Sequence, residues 1–263
     1  MSTAVLLEHR DGVAFLTLNR PERANVLDLE TSAALAAAID ALAADRSLRV
    51  VLLGARGRHF CAGGDIGDFV RSIGALGELL DTHIPALHRA IFQLATLPVP
   101  VVSALNGPIG VGGIGLALCA DVVLAAESMK LRGGYSAIGL TPDAGSSWFL
   151  ARRAGEAKAK EIFFTNEALS ARECLEAGIV SQVLPDDALQ ARAEALAVSL
   201  ARGATGSLAR IKRLVDGAAE RSLEAQLALE HHCMVESGHS ADAIEGVSAF
   251  AEKRAPAFGR KPN

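Results

Sequence analysis

Two glycine-rich turns are the residues of this chain best placed to do chemistry: Phe60-Cys61-Ala62-Gly63-Gly64-Asp65-Ile66 and Asn106-Gly107-Pro108-Ile109-Gly110-Val111-Gly112-Gly113. Each follows an apolar, strand-like run and opens a segment that reads as helix. The start of a helix leaves backbone N–H groups without partners, and the helix dipole adds to their attraction for negative charge. Two such turns aimed at one small anionic centre would make an oxyanion hole. Taken singly, glycines more often serve a tight turn or close packing. Asp65 reads as the cap of the helix after the first turn. Asp143, between Pro142 and a helical stretch, also stands at a good N-cap or first-turn position.

The elements that must position these turns alternate along the chain. Ala4 to Glu8 and Val13 to Asn19 read as short strands about an Asp11-Gly12 hairpin signal, and Leu29 to Ala44 has helical apolar spacing. Val50 to Leu53 reads as a buried strand leading to the first turn. Leu79 to Leu97 reads as a helix with Pro85 near its start, and Val99 to Leu105 as the strand leading to the second turn. Gly113 to Cys119 then reads as helix and Asp121 to Ala125 as strand. After Pro185 strand signals stop, and Asp186 to Arg202, Ser207 to Ala219, Leu223 to Glu236 and Ala241 to Arg254 all read as helices. The expectation is an α/β core over residues 1–203 and a helical region over 204–263, divided at Gly203-Ala204-Thr205-Gly206.

Composition narrows the partners. The 263 residues are half hydrophobic, enough for a large core. The net charge of −4, with acidic and basic residues interspersed, and the single Trp and single Tyr argue against nucleic acid as the main partner. No apolar run approaches the roughly 18 residues of a membrane span. Met1-Ser2-Thr3-Ala4 lacks the basic start of a secretory leader, so the expected location is cytoplasmic. Cys61, Cys119, Cys174 and Cys233 are widely spaced and have no His at ligand spacing, so they read as buried small residues rather than disulfide or zinc ligands.

Six segments, in order, carry a family resemblance: Leu18-Asn19-Arg20-Pro21-Glu22-Arg23-Ala24-Asn25, Phe60 to Ile66, Ala104-Leu105-Asn106-Gly107 with its glycine turn, Cys119-Ala120-Asp121, Gly139-Leu140-Thr141-Pro142-Asp143-Ala144-Gly145, and Phe250-Ala251-Glu252-Lys253-Arg254. Together they resemble the crotonase (enoyl-CoA hydratase/isomerase) superfamily over nearly the whole chain. The resemblance implies an α/β spiral of ββα repeats with a C-terminal helical oligomerisation region that builds trimers, often paired as hexamers. It implies acyl-CoA thioester substrates, with coenzyme A as part of the substrate, no separate cofactor and no metal. The backbone N–H groups of Ala62 and Gly112 would form the oxyanion hole. Arg23 would approach the nucleotide phosphates, Ala62, Gly63, Gly64, Asp65 and Ile66 would hold adenine and pantetheine, and Phe250 and Lys253 would reach a neighbouring subunit's CoA.

The chain departs from the typical hydratases of that superfamily where their two water-activating glutamates stand, because Gly115 and Tyr135 occupy the matching positions. Asp143 stands where those hydratases carry glycine. An acid there matches enoyl-CoA isomerases, in which one carboxylate moves a proton from the α- to the γ-carbon. It also matches the chlorobenzoyl-CoA dehalogenase branch, in which an Asp attacks the ring; His88 and Tyr135 then fall at the base and Trp positions. The favoured reading is an isomerase with Asp143 as acid/base. A hydratase, an aryl-CoA dehalogenase with Asp143 as nucleophile, and a non-catalytic binding protein remain as alternatives. An isomerase role would require burial of the Asp143 carboxyl against Ile138, Trp148 and the acyl chain.

Overall fold

The computed structural model describes residues 3–259; Met1 and Ser2, which enter the expectation of no leader, lie outside them. The chain begins with the expected hairpin, β1 (Val5–Arg10) and β2 (Val13–Leu18). Asp11 and Gly12 both have positive φ, the conformation a two-residue hairpin turn needs. There follow α1 (Leu29–Ala44), β3 (Val50–Ala55), α2 (Ile66–Arg71), α3 (Leu76–Ala95) and β4 (Val101–Leu105). The middle of the chain holds β5 (Ile109–Gly110), α4 (Gly112–Leu118), β6 (Val122–Ala126), β7 (Lys130–Arg132), α5 (Ser146–Ala154), α6 (Glu156–Thr165), β8 (Leu169–Ser170), α7 (Ala171–Glu176) and β9 (Gln182–Leu184). From there to the end of the described residues the regular elements are helices: α8 (Leu189–Ala201), α9 (Thr205–Asp216), α10 (Leu223–Gly238) and α11 (Ala241–Ala251).

The main sheet runs β1-β2-β3-β4-β6-β9 and is parallel from β2 onward, with Val13 opposite Val50 and Val51 opposite Val101. Successive side chains of a strand face opposite ways, and here both faces are covered. Val51 and Leu53 of β3 join Leu35 and Ile39 of α1 and Leu94 of α3 in one core. Val50 and Leu52 join Leu189, Ala193 and Ala197 of α8 in the other. Helix α8 therefore belongs to the packing of the sheet, and the more loosely attached helices begin at α9. Lys212 of α9 ties back to the sheet through Asp121 at 3.0 Å.

Helix α1 starts at Asp28, whose carboxylate accepts the Thr31 N–H at 2.9 Å. Pro85 lies well inside α3 rather than near its start, at an exposed position where the lost N–H bond meets solvent. A second sheet, β5-β7-β8, had no counterpart among the elements expected from the sequence, because strands two or three residues long leave no periodic pattern. Apolar side chains of α10 and α11, among them Leu223, Leu227, Met234, Val247 and Phe250, are exposed. Among the described residues no helix is long and apolar enough to cross a membrane.

Candidate active site

The two glycine turns meet. Cys61 bridges to Ile109 in strand fashion, with Gly110 N–H donating to Cys61 O at 3.1 Å and Phe60 N–H to Pro108 O at 3.2 Å. Gly63 has φ of 89°, and a Cβ on it would lie 2.5 Å from Val111 Cβ and 2.9 Å from Gly110 O. Only glycine allows both that backbone conformation and that approach.

Which N–H groups are free corrects one expectation. The Ala62 N–H donates to Ala24 O at 3.1 Å, so Ala62 is not an available donor. Ala24 sits in the left-handed region at the end of a 3-10 turn, Pro21–Arg23, and its carbonyl meets Ala62. Among the described residues, the N–H groups of Gly64 and Gly112 have no hydrogen-bond partner. Their directions follow from the peptide plane, in which N–H and the preceding C=O point opposite ways across a trans bond. Gly63 O is held by the Leu27 N–H at 2.8 Å, which turns the Gly64 N–H the other way. Val111 O is held by the Ser146 hydroxyl at 3.1 Å and the Ile114 N–H at 3.0 Å, which does the same for Gly112. Val111 has φ 51° and ψ −130°, a strained conformation for a β-branched residue that costs about 1–3 kcal/mol and is typical of functional turns.

Asp143 lies beside this pair. A Cβ on Gly112 would stand 3.3 Å from Asp143 Oδ1. The same oxygen accepts the Tyr135 hydroxyl at 2.6 Å. Burial, and then the adjacent Asp143 carboxylate, push the Tyr135 phenol up in pKa, so it remains a protonated donor. Asp143 does not cap α5: Gly145 holds the N-cap position without any side-chain bond. Asp143-Ala144-Gly145-Ser146 is instead a tight turn closed by Ser146 N–H to Asp143 O at 2.8 Å, with φ positive at Ala144 and Gly145. His88 of α3 reaches this turn through Nε2, which accepts the Ala144 N–H at 2.9 Å. That nitrogen is therefore occupied in holding the turn, not free as a general base. Ile138 and Trp148, expected to bury Asp143, are each 49% exposed; the contact the carboxylate actually has is Tyr135.

The turn also explains the glycine at position 115. A Cβ there would lie 1.9 Å from Ala144 O and 2.7 Å from Ala144 C, inside the backbone of the Asp143 turn. A glutamate at 115 and this turn exclude one another.

Asp65 caps α2 as expected, accepting the N–H groups of Gly67 at 2.7 Å and Asp68 at 3.3 Å, and its other oxygen pairs with Arg23. Arg23 also bonds Asp28 at 3.1 Å, so this partly exposed side chain already bridges two buried carboxylates. Burial opposes the charge on Asp28, but bonds from Thr31 and Arg20 outweigh it and hold the carboxyl below its ordinary range. Ile66 begins α2 with an exposed side chain. Phe250, 88% exposed, lies in the last turn of α11, which packs on α10, and Lys253, also exposed, follows just after it. Ser146 was not singled out from the sequence, and a lone serine at a helix start carries no signal that could have revealed it. That the free N–H is Gly64's and not Ala62's was also missed; its one signal is its place directly after a turn glycine. The four cysteines are buried thiols, and burial pushes Cys61 up to about 12. Among the described residues no cluster of His, Cys, Asp or Glu could hold a metal ion.

The family described as Enoyl-CoA hydratase/isomerase matches residues 8–261. The chain is 39% identical to the 1,2-epoxyphenylacetyl-CoA isomerase of Escherichia coli K12, over 99% of this chain and 100% of that one. It is 32% identical to the trans-2-decenoyl-[acyl-carrier-protein] isomerase of Streptococcus mutans, over 98% of each. An enoyl-CoA hydratase structure from Polaromonas sp. JS666 superposes with a TM-score of 0.90 at 33% identity, over 96% of this chain and 98% of that one. With two adjacent free N–H groups set in a crotonase fold, the chain belongs to the enoyl-CoA hydratase/isomerase family of acyl-CoA enzymes.

Proposed function

We propose that this family member is an enoyl-CoA isomerase that moves a double bond from the β,γ to the α,β position. The observation that carries this reading is a single carboxylate, Asp143, beside Gly112, on a turn whose Ala144 carbonyl fills the space a glutamate at 115 would need. The Gly64 and Gly112 N–H groups hold the thioester oxygen, each worth roughly 3 kcal/mol once charge develops there. Asp143 takes the α-proton: the C–H bond breaks, its electrons pass into the dienolate, and the carboxylate becomes an acid. The acid then returns the proton to the γ-carbon, the oxygen gives back its charge, and the carboxylate is restored. The relative named a trans-2-decenoyl-[acyl-carrier-protein] isomerase supports this choice, and the name of the Escherichia coli protein suggests a phenylacetate-derived acyl group as a first substrate to try. The exposed apolar faces of α10 and α11 support a homotrimer or a pair of trimers, in which Phe250 and Lys253 would meet a neighbour's CoA.

The test is NMR in deuterated water with a β,γ-enoyl-CoA and an α,β-enoyl-CoA, comparing wild type with Asp143→Asn. Deuterium entry and double-bond migration that vanish in the variant support the isomerase. A 3-hydroxyacyl product would make the protein a hydratase. Binding without exchange would make it a non-catalytic binder.

A further inference from the structure

The Ser146 hydroxyl touches both halves of this site. The side chain is fully buried, and its Oγ lies 3.1 Å from the Gly115 N–H, 3.1 Å from Val111 O and 3.2 Å from the Tyr135 hydroxyl. The Gly115 N–H can only donate, so Oγ accepts it. The one Ser146 proton then goes to Val111 O, and Oγ keeps a lone pair for the Tyr135 hydroxyl. Val111 O and the Gly112 N–H belong to one peptide plane, so the serine sets the aim of an oxyanion donor. Tyr135 has one proton and three acceptors within reach, Asp143 Oδ1 at 2.6 Å, Ser146 Oγ at 3.2 Å and, at 3.4 Å, Asp143 O, so the serine, the one acceptor outside Asp143, also decides how fully the phenol is committed to the carboxylate.

We infer that Ser146 is a positioning residue, tying the Val111–Gly112 peptide to the Tyr135–Asp143 pair through one hydroxyl. The inference rests on the reading of Asp143 as the proton carrier. While Asp143 is a carboxylate, the Tyr135 proton lies on it. Once Asp143 holds the substrate's proton, the Tyr135 proton can turn to Ser146 Oγ, so the acid form keeps a satisfied neighbour. No net proton leaves the site in this exchange. Besides Tyr135, the titratable groups near Asp143 are His88, bonded to the Ala144 N–H, and Cys61, a protonated thiol.

The experiment measures α-proton exchange against pH for wild type, Ser146→Ala, Tyr135→Phe, the double variant and Asp143→Asn. For Ser146→Ala the turnover rate should fall about 10- to 100-fold with KM little changed, since a misaimed donor costs most in the transition state. Without the serine acceptor Tyr135 donates to Asp143 alone and favours the carboxylate. The acid limb of the rate profile then moves to lower pH. The shift should be absent when Ser146→Ala is made on Tyr135→Phe. An unmoved limb, or the same shift without Tyr135, overturns the inference. Should Ser146→Ala fail to fold, Ser146→Cys replaces it, with a smaller shift of the same sign expected and no shift overturning the idea. Wild-type exchange in Asp143→Asn overturns the Asp143 reading and this inference together. Loss of exchange in that variant with no limb shift for Ser146→Ala overturns this inference alone.

Discussion

Adding one methyl at Gly115 would test the central steric argument. In Gly115→Ala the new Cβ stands 1.9 Å from Ala144 O and 2.7 Å from Ala144 C, and both are backbone atoms that cannot swing aside. Restoring contact distance requires the Asp143 turn to retreat by more than about 1 Å. The substitution gains about 1 kcal/mol from the better helix propensity of alanine in α4. Against this stand an overpacking cost of about 1–3 kcal/mol and the loss of the Gly115–Ser146 and Tyr135–Asp143 bonds, each about 1 kcal/mol. The balance is a net loss of about 3 kcal/mol, or roughly 8 °C in Tm for a chain of this size. Displacing the carboxylate by this amount should lower exchange about 100-fold. Chemical denaturation and α-proton exchange in deuterated water measure the two quantities. Wild-type stability with wild-type exchange would refute the placement of the Asp143 turn over α4. So would appearance of hydration in Gly115→Glu with the turn's exchange activity intact.

Two further perturbations probe other parts of the site. Gly63→Ala puts a methyl 2.5 Å from Val111 Cβ at a positive φ, so it should separate the two turns, cost about 1–3 kcal/mol and remove most exchange; a variant with normal turnover would show that the turns need not touch. Asp28 is almost fully buried between Thr31, Arg20 and Arg23, and its folded pKa lies below the ordinary 3.8. A lowered pKa contributes stability that is full above that value and is lost as pH falls through the folded pKa. Asp28→Asn keeps a cap but loses the charge, so it should cost about 1–3 kcal/mol at neutral pH and flatten the acid end of the stability profile below about pH 4; unfolding curves of both proteins that stay parallel into acid would contradict this.

The sequence by itself determined what depends on near neighbours. The Asp11-Gly12 turn, the Asp65 cap of α2 and the span of α1 from Leu29 to Ala44 were all legible, because turn geometry, a capping carboxylate and a helical apolar stripe are settled within a few residues. The glycine turns and Asp143 could be picked out from the sequence as candidates, because glycine pairs and an acid beside a proline stand out in the chain. Tertiary structure decided which atoms were free to act. Ala62 loses its N–H to the carbonyl of Ala24, from a distant turn, and Gly64 is left facing out. His88 reads as a base until Ala144 occupies its Nε2, and Arg23 is tied to Asp28 and Asp65, a pairing no local pattern shows. Ser146 has no motif at all, since its three partners come from the turn before α4, from α4 itself and from the residue after Gly134. A hydrogen bond has one proton and a definite direction, so the role of each polar group follows from what the fold sets against it, and that information lies in segments far apart along the chain.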